Sequence, residues 1–337
     1  IICNDSRIEL VLGNSFQNMT FTWTVSGDAE ITGFSEDTQS LPYTIADSLH
    51  NSSTEVKSIT YTLTPFAYGL CQQPDLSFTI YVNPTPRFQV SVVDTIVCDS
   101  STVTLNVLDL LGPVEGTKVY DLTTSYTGTV EGVEPTTTDI AIGTPIVNQL
   151  VNRTNQVQTV TYNFRYRYND PRNGDIPFCD NGTDTTITIY VNPTPRFQVS
   201  VVDTIVCDSS TVTLNVLDLL GPVEGTKVYD LTTSYTGTVE GVEPTTTDIA
   251  IGTPIVNQLV NRTNQVQTVT YNFRYRYNDP RNGDIPFCDN GTDTTITIYV
   301  NPTPRFQVSV VDTIVCDSST VTLNVLDLLG PVEGTKV

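Results

Sequence analysis

Apolar and polar residues alternate with a period of two along most of this chain, and helical periodicity is hard to find. Between residues 158 and 169, Val160, Tyr162, Phe164, Tyr166 and Tyr168 alternate with Thr161, Asn163, Arg165 and Arg167. Val103, Leu105 and Val107 alternate with Thr104 and Asn106, and Ile187, Ile189 and Val191 with Thr188 and Tyr190. Phe88, Val90 and Val92 are spaced in the same way among Arg87, Gln89 and Ser91. Each run predicts a strand with one buried and one wet face, which is what an antiparallel sandwich requires. Turn formers separate the runs: Leu-Gly-Pro at 111–113, Asn-Arg-Thr-Asn at 152–155, Asp-Pro-Arg-Asn-Gly-Asp at 170–175 and Asp-Asn-Gly at 180–182. The pattern predicts seven strands, lettered A to G, over 86–97, 102–110, 117–126, 128–134, 145–151, 158–169 and 184–192.

The same pattern returns because the sequence itself returns. Residues 84–192 recur without a change as 193–301, and a further copy starts at Pro302 and runs to Val337. The period of 109 residues is that of one immunoglobulin-sized sandwich rather than of a solenoid repeat. Residues 1–83 form a divergent module that ends in the same phrase, and its third strand alternates Phe21, Trp23 and Val25, a core-tryptophan pattern of immunoglobulin-like domains. The expected class is all-β, a series of tandem immunoglobulin-like Greek-key β-sandwiches. The expected modules are 1–83, lacking its first strand; 84–192; the identical 193–301; and 302–337, the start of another. Ile1 aligns with Ile96 and Val337 falls inside a strand, so the segment reads as a window on a longer protein. At each boundary stands Asn-Pro-Thr-Pro, at 83–86, 192–195 and 301–304. Two prolines in four residues leave little slack, so strand G of one module feeds strand A of the next and the modules stack as an end-to-end rod. Strands of this length make each module about 35–40 Å long.

Charge narrows the function. Lys and Arg number 16 against 37 Asp and Glu, a formal net charge of −21. Such a chain repels phosphate backbones and anionic lipid, which excludes nucleic-acid partners and gives no reason to expect membrane insertion in this segment.

Seven cysteines occupy two kinds of place. Cys3, Cys98, Cys207 and Cys316 follow strand A, and Cys71, Cys179 and Cys288 lie in the F–G turn. Regular placement in an acidic chain points to disulfides and an oxidising compartment. Pairing within modules would join Cys3–Cys71, Cys98–Cys179 and Cys207–Cys288. However, the A–B turn lies at the far end of a module and the F–G turn at its entrance, about a strand length apart, whereas a disulfide needs Cα atoms within about 7 Å. The far end of one module abuts the entrance of the next, which favours Cys3–Cys179 and Cys98–Cys288 between modules. Cys71, Cys207 and Cys316 are then left without partners in this segment.

Little else carries chemistry. The single histidine, His50, is absent from the repeats, and there is no phosphate-cradling loop, nucleophile elbow or zinc spacing. No catalytic residues and no cofactor are expected. The acidic F–G turn, with Asp170, Asn173, Asp175, Asp180 and Asp184, is the candidate for calcium, a cation that takes six to eight oxygen ligands. Arg172 in its midst opposes that reading, and turns use the same residues for their own geometry. Tyr162, Tyr166 and Tyr168 could form an aromatic platform for sugars, but their spacing places them in the core.

The phrases Ile-Val-Cys-Asp-Ser-Ser-Thr-Val-Thr-Leu at 96–105, Val-Thr-Tyr at 160–162 and Thr-Ile-Tyr-Val-Asn-Pro-Thr-Pro at 188–195 carry a resemblance, as do Phe-Thr-Trp-Thr-Val at 21–25 and Tyr-Thr-Leu-Thr-Pro at 61–65. Over its whole length the chain resembles the PKD-like and immunoglobulin-like repeats of giant Bacteroidota surface proteins, including gliding-motility adhesins of the SprB type. The resemblance implies type IX secretion and display on the outer surface of a Gram-negative cell. It also implies O-glycosylation at Asp-Ser/Thr triplets, with Ser48, Thr95, Thr185, Thr204, Thr294 and Thr313 as acceptors.

The expected function is therefore a non-enzymatic stalk of a long cell-surface adhesin or extracellular filament, serving attachment or gliding. Perfect repeats add length without new chemistry. Its partners are neighbouring modules of the same chain, further copies in a fibre, and a surface or glycan target bound by a domain outside this segment. The alternative is a set of spacer or carbohydrate-binding modules of a large secreted hydrolase.

Overall fold

The computed structural model describes residues 1–13, 19–173, 178–282, 287–310 and 314–328. Its regular elements are strands and two single 3₁₀ turns, at Pro171–Asn173 and Pro280–Asn282. Among the described residues no helix is long and apolar enough to cross a membrane. The chain divides into two compact units that do not follow the sequence period. One holds Ile1–Thr95, Thr102–Leu150 and Thr159–Ile189; the other holds Ile96–Ser101, Val151–Gln158 and Tyr190–Val337.

In the second unit, the repeat 193–301 has nine strands: β1 (Phe197–Ser200), β2 (Ile205–Val206), β3 (Ser210–Asp218), β4 (Thr226–Tyr235), β5 (Val239–Glu240), β6 (Thr246–Ala250), β7 (Ile255–Asn261), β8 (Gln267–Asn278) and β9 (Thr294–Val300). They form a four-stranded sheet in the order β1-β3-β7-β5 and a five-stranded sheet in the order β2-β9-β8-β4-β6. This is the immunoglobulin arrangement, two mainly antiparallel sheets sharing one core. Strand β8 buries every second residue from Gln267 to Tyr277, and β4 pairs along it from Thr226 opposite Asn278 to Tyr235 opposite Val269. The core between the sheets joins Val212, Leu214, Val216, Leu231, Leu259, Tyr271, Phe273 and Ile298.

Three details depart from the expected strands. Predicted strand A is split in the repeat: Phe197–Ser200 pairs antiparallel with β3, whereas Ile205–Val206 pairs parallel with β9 on the other sheet. Val202 between them is 90% exposed, so the chain crosses from sheet to sheet at a residue that packs against neither. Predicted strand D shrinks to two residues, Val239–Glu240. An edge strand unforeseen in the sequence, β6, pairs with β4 through a bulge between Tyr229 and Leu231. Its Thr-Thr-Asp-Ile-Ala sequence has little alternation to mark it, and it sits at the sheet edge.

In the first unit, residues 1–83 build a smaller version of the fold. Met19–Gly27 pairs with Lys57–Ala67 over nine positions, and Leu76–Val82 flanks the latter. Trp23 is 1% exposed, lies 5.5 Å from the ring of Tyr43 and donates its indole N–H to Ser35 O at 2.8 Å. The core contains Trp23, Ile31, Leu49, Ile59, Tyr61 and Val82. The same unit contains, from the next module, the strand Thr117–Tyr126 and all but the first residue of the strand Gln158–Asn169, paired from Thr117 opposite Asn169 to Tyr126 opposite Val160.

Buried tyrosines are the commonest large side chains of these cores. Tyr162, Tyr166 and Tyr168 are at most 2% exposed, so they are core residues and not a sugar platform. Tyr61 donates its hydroxyl to Asp47 Oδ2 at 2.6 Å, and Tyr162 and Tyr271 donate to Asn148 and Asn257. Burial comes first among the causes that raise the phenols of Tyr120, Tyr168, Tyr229 and Tyr277 to about 12. A phenol raised in the folded state stays protonated while the unfolded chain ionises near pH 10, so its contribution is whole below that pH and is lost as pH rises towards 12. We therefore expect the urea midpoint to be flat at neutral pH and to fall steeply between about pH 10 and pH 12. A flat midpoint across that window would contradict the burial of these phenols.

Candidate functional site

Where one module meets the next, each unit contains one joint, and the joints repeat position by position with a few residues exchanged. The foundation of each is an asparagine at the far end of the module, Asn51 or Asn152, both buried. Asn152 Nδ2 donates to Gln156 O and Val191 O, both at 2.8 Å, while its Oδ1 accepts from the Thr154 amide and hydroxyl at 2.9 and 2.8 Å. Asn51 does the same with Glu55 O, Val82 O and Ser53. Val82 and Val191 end the last strand of their modules, so these amides fix the direction in which the chain leaves. Asn261, bonded to Gln265 O and Val300 O at 2.8 Å, repeats the arrangement in the third module.

The linker asparagines that follow, Asn83 and Asn192, are wholly buried. Asn83 Nδ2 lies 3.4 Å from Cys179 Sγ, and Asn192 Nδ2 lies 3.8 Å from Cys288 Sγ. Both sulfurs are in disulfides. Cys3 is bonded to Cys179 and Cys98 to Cys288, each with Cα atoms 5.4 Å apart. The F–G turn approaches the linker because Gly182 and Gly291 have no side chain: a Cβ there would lie 2.3 Å from Pro86 O or Pro195 O.

Hydrogen bonds surround each disulfide. In the first joint, Asn4 Nδ2 donates to Asn51 O at 3.0 Å and to Thr85 Oγ1 at 2.7 Å, and Asn181 Nδ2 donates to Asn4 O at 2.8 Å. In the second, Asp99 takes the place of Asn4. It accepts from Asn152 N at 2.7 Å and from the Thr194 hydroxyl, and its carbonyl accepts from Asn290 Nδ2 at 2.8 Å. Val157 adds an apolar contact to the cluster of Leu220, Val223, Tyr275 and Tyr277.

A third element was not legible in the sequence as a joint. Arg172 lies with its guanidinium 4.4 Å from the ring centre of Tyr81, on the last strand of the preceding module, and Arg281 lies 4.3 Å from that of Tyr190. Each arginine is gripped by a buried aspartate. Arg172 Nε and Nη2 donate to Asp170 at 2.8 and 2.6 Å, and its backbone N–H donates at 2.9 Å; Arg281 repeats this on Asp279. Burial alone would raise the Asp170 carboxyl, but the bonds and charge of Arg172 outweigh it and hold the group below the usual carboxylate range.

This geometry corrects one reading of the sequence and bears on another. The within-module pairs Cys3–Cys71, Cys98–Cys179 and Cys207–Cys288 do not occur: Cys3, Cys98, Cys179 and Cys288 are bonded across the joints, and Cys71, Cys207 and Cys316 are free and exposed. The acidic F–G turn does not assemble a calcium site among the described residues. Asp170 is taken by Arg172 and Asp180 by Arg165 at 2.7 Å, while Asp184 is exposed. Asp175 and the side chain of Asn173 lie outside the described residues. No group of three or more His, Cys, Asp or Glu that could hold a metal is present among those described. His50 is exposed and contacts Asp5 Oδ1 through Nδ1 at 2.7 Å. Of the glycan-acceptor candidates, Ser48, Thr95 and Thr204 are exposed, Thr185 and Thr294 are half-buried, and Thr313 lies outside the described residues. Asp47, beside Ser48, is buried and committed to Tyr61 and the Ser35 amide.

Residues 1–86 match the family model of the PKD-like domain. No curated protein matches the chain. Among solved structures it is similar to the Escherichia coli adhesin FdeC, at 16% identity over 88% of each chain with a TM-score of 0.32. It is also similar to the ICAM-5 D1-D4 ectodomain fragment, at 11% identity over 96% of this chain and 80% of that one with a TM-score of 0.38. The chicken CNTN1 FN1-FN3 domains match at 11% identity over 88% and 95%, with a TM-score of 0.31.

The buried amide is the part of the joint most exposed to test. Replacing Asn152 with Ala takes the amide donor from the Val191 carbonyl and the acceptor from the Thr154 amide, while Gln156 O keeps the Thr154 hydroxyl and Gln158 Nε2 as donors. Unsatisfied buried groups of this kind cost about 1–3 kcal/mol each, so with two of them Asn152→Ala should destabilise by at least about 2 kcal/mol. Chemical denaturation measures it; a loss below about 1 kcal/mol would mean that water replaces the amide there.

Proposed function

We propose that this chain is a non-enzymatic stalk segment of a long cell-surface adhesin or extracellular filament. The observation that supports this best is the recurrence of one elaborate joint at two successive module boundaries, where a disulfide, a buried amide and an arginine–tyrosine contact converge. An enzyme concentrates its interactions around a reacting centre, whereas here they concentrate where modules meet. Identical modules with such joints extend reach and resist bending. On this reading the modules stand in line as a stiff rod, bounded at 83/84, 192/193 and 301/302, and a binding domain elsewhere engages a surface or glycan. Further copies would serve as lateral partners in a fibre.

The finer reading follows the sequence phrases. The stalk is exported by type IX secretion to the outer surface of a Gram-negative bacterium, where it serves attachment or gliding. It carries O-glycans on some of Ser48, Thr95, Thr185, Thr204, Thr294 and Thr313. The accessible strand ends at Thr95 and Thr204 support modification there more than the half-buried Thr185 and Thr294 do. Protein isolated from its source should exceed its sequence mass by whole glycan increments, and an unmodified mass would remove that part of the proposal.

Small-angle scattering tests the stalk itself. The oxidised chain should give a narrow distance distribution extending to about 100 Å or more, as expected for three stacked sandwiches. A compact or freely jointed particle would overturn the mechanical role.

A further inference from the structure

The joint poses a selection problem that local sequence cannot solve. Cys98 and Cys207 sit in identical surroundings, Ile-Val-Cys-Asp-Ser-Ser-Thr, as do Cys179 and Cys288, each followed by Asp-Asn-Gly. Cys71, Cys207 and Cys316 are exposed thiols able to compete for any partner. Nothing in the short stretch around a cysteine distinguishes Cys98–Cys288 from Cys207–Cys288. Folding of a module sets its own two cysteines at opposite ends, which disfavours Cys207–Cys288, but bringing Cys98 to Cys288 takes contacts that exist only when two successive modules are docked.

We propose that Arg172 and Arg281 are positioning residues that direct disulfide formation to the joint, by docking on Tyr81 and Tyr190 before the sulfurs react. The buried Asp170 and Asp279 hold each guanidinium plane through two side-chain bonds, so the arginine is already oriented within its own module. The guanidinium carbon then lies 4.4 or 4.3 Å from the ring centre of a tyrosine that belongs to the preceding module. Arginine stacked on an aromatic ring is attracted by the ring's negative face and loses little hydration in doing so. The turn that carries the arginine also carries the cysteine: Tyr168 N–H donates to Cys179 O at 3.0 Å, Cys179 N–H donates to Tyr168 O at 2.8 Å, and Asp170 follows two residues after Tyr168. Docking the guanidinium therefore delivers Cys179 to Cys3, and Cys288 to Cys98. Module 1 has no such arginine beside Cys71, where the turn reads Ala-Tyr-Gly-Leu-Cys, so that cysteine is not steered in this way.

The bond itself needs an oxidant, here a small-molecule disulfide such as oxidised glutathione. One cysteine thiolate of the pair attacks a glutathione sulfur and expels a glutathione thiolate, giving a mixed disulfide. The second cysteine, having lost its proton, attacks the cysteine sulfur of that intermediate and expels the other glutathione. Two cysteine thiols are oxidised, and one oxidised glutathione is reduced to two thiols.

The proposal rests on the stalk reading only in requiring closed joints, and its test is independent of particle shape. The full chain is reduced, unfolded and refolded in a glutathione buffer, and its cross-links are mapped by mass spectrometry. Tyr81→Leu removes the ring while leaving the buried Asp170–Arg172 pair intact. It should lower the yield of Cys3–Cys179 about tenfold, a change of about 1.4 kcal/mol, relative to Cys98–Cys288 in the same molecule. Tyr81→Phe keeps the ring and should behave as the unaltered chain, and Tyr190→Leu should shift the deficit to Cys98–Cys288. Because each variant carries an unaltered joint as its reference, a general folding defect would lower both cross-links together. Unchanged ratios in both leucine variants, or an equal loss at both joints, would overturn the proposal. Scattering that showed a flexible particle with these ratios altered as expected would count against the stalk and not against the steering.

Discussion

A peptide chain leaving a β-sandwich must have its direction fixed before anything can be built on it. Here that is done by one carboxamide per module, Asn51, Asn152 or Asn261, which spends both donor hydrogens on carbonyls and its oxygen on a turn. One of those carbonyls ends the final strand, so the amide holds the strand end against the preceding turn. Everything further along depends on it: the buried linker asparagine, the paired prolines and the meeting of two cysteines with Cα atoms 5.4 Å apart. A fully satisfied buried polar group stabilises a single geometry, since every displacement leaves some partner unmet.

Around that fixed exit, covalent and non-covalent restraints reinforce one another. The disulfides close loops of 176 and 190 residues, separations at which cross-linking removes much conformational entropy from the unfolded chain. The arginine–aspartate pairs work differently. With Asp170 and Asp279 at most 1% exposed, each carboxylate requires its arginine, and each arginine is thereby held flat for the tyrosine beyond it. Asn4 in the first joint and Asp99 in the second show that the bonding pattern survives an exchange of amide for carboxylate when the neighbouring donors are rearranged.

The fold was largely legible because half-buried strands write their burial directly into the sequence. Strand β8 alternates without interruption, and its burial follows the pattern residue by residue. The edge strand β6 was invisible for the opposite reason: its residues are mostly exposed, so no apolar period is imposed on them. The division of strand A was hidden because Val202 has the composition of a strand residue while lying at a sheet crossing. At the joints, the cysteine geometry could be reasoned from which end of a sandwich each turn occupies. The role of Asp-Pro-Arg could not. Its residue types suit a cation loop or an ordinary turn equally well, and the tyrosine that gives the arginine its purpose lies 91 positions away in both joints, from Tyr81 to Arg172 and from Tyr190 to Arg281.

That spacing has an evolutionary consequence. Each 109-residue copy contains a complete set of joint parts, the cysteine, asparagine and tyrosine that receive a successor and the cysteine, glycine and arginine that engage a predecessor. Recombination between identical copies can therefore insert or delete a whole copy while every surviving boundary keeps both halves of its fastening. Length becomes a heritable variable that lineages can change in one genetic event, in steps of one module, with no need for compensating substitutions.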